Sequence, residues 1–135
     1  KATQQPTGNA EQLKDTVIKM HADYWIEHIE KNGAPLHISI PMQKMQFGNL
    51  LWIGLAGEVM HGLGELVKES NPNFTTMVVS YANGNIGYIP CAADFVIGGY
   101  EVDFAPYVYN IFPFSVKVEE IILSKSNNAV FSERR

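Results

Sequence analysis

A chain of 135 residues with 46% hydrophobic and 18% charged positions can bury a core, and it fits one domain or a piece of one. Its formal net charge of −4, with no basic run, argues against nucleic acid as a partner. The single Cys91 excludes an internal disulfide or a cysteine-cluster metal site, and no apolar stretch is long enough for a transmembrane segment.

Residues 1–8 read as an extended lead-in, without a signal-peptide pattern, and the start resembles the interior of a longer polypeptide. Asn9 and Gln12 form a capping-box pattern. Leu13, Val17, Met20 and Tyr24 then recur at helical spacing, beside a second stripe of Ile18, Ala22, Trp25 and Ile29, so the helix is expected to bury a broad face. It ends at "KNGAP", with Gly33 at the stop and Pro35 beyond. Leu36, Ile38, Ile40 and Met42 alternate as in a half-buried strand, which Pro41 assigns to an edge or a bulge.

"FGNL" offers a two-residue hairpin turn, and the apolar run 50–56 predicts a strand covered on both faces. A helix is predicted over 58–70, with Val59, Leu63, Leu66 and Val67 on one face, ended by "SNPN". A strand follows over 75–81, then a short helical turn near Ala92–Val96. A last helix is expected over Ser115–Asn127, with Val118, Ile121 and Ile122 on one face, before a frayed tail 128–135.

The fold class is therefore α/β, with a mixed sheet whose βαβ unit joins strands about 50–56 and 75–81, flanked by helices. A crossover of that length joins parallel neighbours. Both strands then end on the side of the sheet where α/β proteins hold ligands. The segments leaving those ends are "AGEVMHG" and "ANGNIGYIP", which brings Glu58 and Tyr88 toward one crevice.

Glu58 fits either a helix-start carboxylate favoured by the dipole or a metal ligand. Its spacing to His61 is that of a carboxylate-bridged metal site, but one copy falls short of a ligand set. His21 and His28 share a helix face without a coherent acidic partner, and His37 points outward. Cys91 reads as a buried structural thiol. Tyr88 and Tyr100 fit packing aromatics or catalytic phenols.

At "GEVMHGLGELVKES…TTMVVSYANGNIGYIP…GGYEV" the sequence resembles the neutral/alkaline, non-lysosomal ceramidase family, in its bacterial ceramidase-like branch. The likeness covers roughly residues 36–103 and corresponds to the C-terminal part of the family's catalytic domain. It implies that 1–135 is a single partial domain of a larger α/β domain. The family cleaves the amide of ceramide with one zinc held by two histidines, a glutamate and a tyrosine.

The resemblance implies Glu58 and Tyr88 as zinc ligands, Tyr100 as the assisting phenol, and Asn83 and Gly84 as substrate contacts. Ala56 stands where the family usually has proline. The two histidines and a serine-bearing loop would come from the upstream part of the domain, so this chain alone is expected to be inactive. The implied partner is a lipid amide, and the implied location is secreted or periplasmic. A non-catalytic binding or assembly module, or a hydrolase of another N-acyl amide or ester, is the alternative.

Overall fold

A computed structural model describes residues 8–34 and 37–127, which form two compact units dividing between Ile38 and Ser39. The expected tail and nearly all of the expected lead-in lie outside the described residues. Gly8 already belongs to helix α1 (Gly8–Asn32). That helix ends where Gly33, at φ 80°, donates its N–H to Ile29 O.

Its apolar stripes are not buried as a broad face. Leu13, Met20 and Tyr24 are exposed, as are Ile18 and Ile29. The less exposed positions are Val17, His21, Trp25 and His28, and the rings of His21, Tyr24, Trp25 and His28 contact one another along the helix. Rings three or four residues apart meet on one side of a helix.

The second unit is mixed α/β. Strands β1 (Met42–Phe47) and β2 (Leu50–Leu55) form an antiparallel hairpin through Gly48 and Asn49. Helix α2 (His61–Glu69) then carries the chain to β4 (Thr75–Val79), which pairs parallel with β2, giving the order β1-β2-β4. Between β2 and α2 lies the short strand β3 (Glu58–Val59), which pairs parallel with β5 (Tyr88–Ile89) in a second sheet. Helix α3 (Ala92–Ile97), a π-helical turn (Tyr100–Phe104), α4 (Ala105–Val108) and α5 (Val118–Asn127) complete the chain.

Several boundaries differ from the sequence reading. The first strand begins at Met42 rather than at 36, and residues 37–41 are irregular. Pairing grows outward from the turn and is exhausted at Met42 opposite Leu55, the last residue of β2. Strand β4 stops at Val79, because Tyr81 turns to φ 59° and cannot continue an extended ladder. Helix α5 starts at Val118, and its buried stripe is Val118, Ile122 and Ser126, while Ile121 faces solvent.

The core joins Leu51, Ile53 and Leu55 of β2 to Leu63 and Val67 of α2, Ile89 of β5, and Val118 and Ile122 of α5. Each such aliphatic side chain contributes about 1.5–3 kcal/mol by leaving water. The other face of the sheet carries the cross-strand row Met45, Trp52 and Met77, of which both methionines are exposed. β2 is thus fully covered on one face only. Asn71 closes α2 by donating from Nδ2 to Val67 O at 2.8 Å. No helix among the described residues is long and apolar enough to cross a membrane.

Candidate active site

After β2 ends at Leu55, the next five residues are gripped from two directions. From one side, Ala82 N–H donates to Leu55 O and Tyr81 N–H to Gly57 O, both at 2.9 Å, while Val59 N–H donates to Ser80 Oγ at 3.0 Å. From the other, Ile86 N–H donates to Ala56 O at 3.0 Å; Glu58 N–H reaches Gly87 O at 2.8 Å and Met60 N–H reaches Ile89 O at 3.1 Å. The backbone of residues 55–60 is therefore over-determined.

This explains why Glu58 does not open a helix. Its N–H is taken by the strand pairing, and α2 begins only at His61, after an extended Met60. Glu58 lies instead directly opposite Tyr88 in the β3–β5 pair. Adjacent strands run about 4.8 Å apart, and residues in parallel register point to the same side of the sheet. Carboxylate and phenol thus leave neighbouring backbones together.

Two glycines make the arrangement possible. A Cβ on Gly57 would lie 2.8 Å from both Gly87 O and Ile89 Cδ1, closer than real contacts allow. Gly87, at φ 90°, lies under the Tyr109 ring, 2.9 Å from where its Cβ would stand. Neighbouring Ala56 donates its N–H to Pro41 O at 3.3 Å, a bond a proline there could not make.

Glu58 lies among tyrosines, with Tyr88 opposite it and further phenols beyond. Hydrogen bonding toward Glu58 is the main cause pushing the Tyr81 phenol up to about 12. Tyr88 is also raised, first by burial and then by the Glu58 charge. The Tyr88 ring is met edge-on by Tyr100, with centroids 6.0 Å apart, and by Tyr109 at 6.2 Å.

Tyr100 reaches this position through Gly98 and Gly99, at φ 72° and 122°. It then opens the π-helical turn, which Asp103 closes by accepting the Gly99 N–H at 2.7 Å and donating its own N–H to Gly99 O. Such inserted π-turns recur at functional sites.

The structure thus brings Glu58, Tyr88 and Tyr100 together. Asn83 and Gly84 lie exposed in the loop between the two grips. His61 is exposed one residue beyond Met60, and His37 is exposed as expected. Cys91 is buried, and its Sγ accepts the Asp94 N–H in the box that starts α3.

Sequence reasoning missed Tyr81 and Tyr109. Tyr81 reads as the last residue of a strand, and Tyr109 sits in an aromatic stretch without a clear period. Among the described residues, no group of three or more His, Cys, Asp or Glu could hold a metal ion. No family model, curated protein or solved structure matches this chain.

Proposed function

We propose that this chain supplies the carboxylate-and-phenol half of a zinc amide hydrolase site of the neutral ceramidase type. Glu58 and Tyr88 are the two ligands from this half, and Tyr100 is the phenol that assists at the reacting carbonyl. Asn83 and Gly84 border the substrate, a lipid amide. The reading rests on one observation: the register that sets Glu58 opposite Tyr88, with the Tyr100 ring against Tyr88.

Two oxygen donors on adjacent strands fit half of a four-coordinate set. The resemblance assigns the remaining histidines to the upstream part of the domain. Zinc held there would polarise the amide carbonyl and lower the pKa of a water molecule. What this chain adds is orientation. The doubly gripped backbone fixes Glu58, and strand pairing fixes Tyr88. Tyr100 donates a hydrogen bond from its hydroxyl to the oxyanion that develops on the substrate.

The test uses the longer protein that carries this chain together with its upstream half. Ceramide hydrolysis and one zinc per molecule are expected. Tyr100→Phe should cost on the order of 10²–10³ in kcat with zinc content unchanged, since one oxyanion donor is lost. Tyr88→Phe should lower zinc content itself. Wild-type turnover in Tyr100→Phe would remove that residue from the site. Tight stoichiometric zinc in the 135-residue chain alone would overturn the ligand assignment.

A further inference from the structure

We infer that Tyr109 is a positioning residue, and that its ring is the wall that sets the direction of the Tyr88 phenol. As a statement about a zinc ligand this rests on the reading of Tyr88 proposed above. As a statement about the rotamer of Tyr88 it stands on ring geometry and backbone bonds alone.

Strand pairing fixes where the Tyr88 side chain starts and leaves open where its hydroxyl ends. β5 is two residues long, and the register opposite Glu58 sets only the Cα–Cβ direction. The χ1 torsion still has three staggered wells, and a ligand oxygen at the far end of a ring needs one of them. A neighbour must choose it. The rings of Tyr100 and Tyr109 meet that of Tyr88 at 84° and 86°, with centroids 6.0 and 6.2 Å away. Both are edge-to-face contacts at preferred separations.

The two neighbours are held differently. Tyr100 is 49% exposed and follows two glycines at positive φ, and its hydroxyl is the one assigned to the substrate above. Tyr109 is half-buried and ends α4 in a Schellman motif. Its N–H donates to Ala105 O at 3.0 Å. Asn110, at φ 54°, donates to Tyr107 O at 3.2 Å, and Ile111 N–H to Pro106 O at 3.0 Å. Asparagine is one of the few residues that enter this left-handed position readily. Ala105 and Pro106 are buried, so Tyr109 stands on a closed and anchored backbone.

The same ring lies against the chain that carries Tyr88. A Cβ on Gly87 would come within 2.9 Å of Tyr109 Cγ and Cδ2, and Gly87 O accepts the Glu58 N–H at 2.8 Å. Tyr109 thus meets Tyr88 through its ring and through the residue before it. One aromatic wall spans both, which aims the phenol from the same frame that holds Glu58. Outer neighbours that orient a metal ligand are worth about 10–100-fold in metal affinity.

The experiment compares Tyr109→Phe, Tyr109→Leu and Ile122→Val with wild type in the longer protein. Zinc affinity is read by competition with a chelator, stability by thermal melting, and the Tyr88 χ1 rotamer by three-bond NMR couplings in the metal-free state. Tyr109→Phe keeps the ring and should match wild type in zinc affinity and in a single Tyr88 rotamer. Tyr109→Leu keeps apolar bulk without the ring. It should bind zinc about 10–100-fold more weakly and leave Tyr88 averaged over rotamers. Ile122 is a core residue of α5, so Ile122→Val should melt lower yet keep both zinc affinity and rotamer.

Wild-type zinc affinity and a single Tyr88 rotamer in Tyr109→Leu would overturn the inference. So would a Tyr109→Phe protein that loses zinc as Tyr109→Leu does, because the ring would not then be the acting part. Equal zinc loss in Ile122→Val would reduce the effect to stability and overturn it as well. If wild type binds no zinc yet Tyr109→Leu frees the Tyr88 rotamer, the metal reading fails and the wall stands.

Discussion

Segment 55–60 and helix α1 both set acidic side chains near aromatic or imidazole residues, Tyr88 opposite Glu58 in the first case, yet they are held by different means. In the segment, residue after residue has a backbone partner more than twenty positions away, at Ser80, Tyr81, Ala82, Ile86, Gly87 or Ile89. In α1 the described side-chain bonds are local, i to i+4: Thr16 to Gln12 O, Lys31 to Glu27, and Asn32 to His28 O. The contrast shows where chemistry can be built. A carboxylate on a backbone fixed from two sides can be aimed, whereas one on a solvated helix face samples its rotamers. Strained conformations such as that of Tyr81, costing on the order of 1–3 kcal/mol, survive only in the first kind of region.

The sharpest way to break this comparison is at Gly57. A methyl group there would meet Gly87 O and Ile89 Cδ1 at 2.8 Å, and the carbonyl belongs to the backbone that pairs with Glu58. Gly57→Ala should therefore destabilise by about 1–3 kcal/mol, the usual cost of overpacking. That corresponds to a loss of roughly 3–9 °C in Tm for a chain of this size. Adding Ile89→Val removes Cδ1 but leaves Cγ1 at 2.9 Å, and Gly87 O cannot retreat without breaking its bond to Glu58 N–H, so only part of the loss should return. A Gly57→Ala chain that melts like wild type would show that the grip on residues 55–60 is loose. On α1, Leu13→Ala should stay within about 0.5 kcal/mol, since Leu13 is 64% exposed.

The sequence carried the parallel βαβ unit, the hairpin and the approach of Glu58 to Tyr88, because each follows from periodicity, turn residues or handedness. It did not carry the β3–β5 pair. Two-residue strands have no period to read, and the apolar positions Val59 and Leu63 joined Glu58 to the following helix by spacing alone. Tyr81 was hidden for a related reason. "TTMVVSY" has strand composition to its end, and only the long-range bonds of Tyr81 and Ala82 reveal that the last residues have left the sheet. The broad buried face expected of α1 fails at Leu13, Ile18, Met20, Tyr24 and Ile29, because apolar spacing reports amphipathicity and not burial.

A second, smaller effect tests the electrostatics of the gripped region. Tyr81 has a folded-state pKa of about 12 against an ordinary 10, and Tyr88 is shifted the same way. The folded chain therefore keeps these protons after the unfolded chain has released them. Their contribution to stability is complete below pH 10 and is lost as pH rises toward about 12. Lys44 has the opposite sign. Burial lowers its pKa, so the folded chain releases that proton first and stability rises as pH climbs through its lowered value. Two phenols against one ammonium should leave a net fall above pH 10. Denaturant melts of wild type and Tyr81→Phe across pH 8–12 would measure it, and the variant should show the shallower fall. An equal fall in both would remove the Tyr81 phenol as its cause.

The smallest expected effect lies in α1. Lys31 Nζ and Glu27 Oε1 form an ion pair with side chains 66% and 69% exposed, in the last turn of the helix. The order is favourable, with glutamate toward the N-terminus and the cation near the negative end of the dipole. Exposure nevertheless limits such pairs to about 0.3–0.5 kcal/mol, and salt screens them. Lys31→Ala should cost no more than that at low ionic strength and less in 0.5 M salt, where the Debye length is only a few ångströms. Urea melts at both salt concentrations give the two values. A loss above about 1 kcal/mol that persists in high salt exceeds what an exposed pair can supply. The end of α1 would then be tied down by something beyond its own last turn, and the contrast with segment 55–60 would narrow.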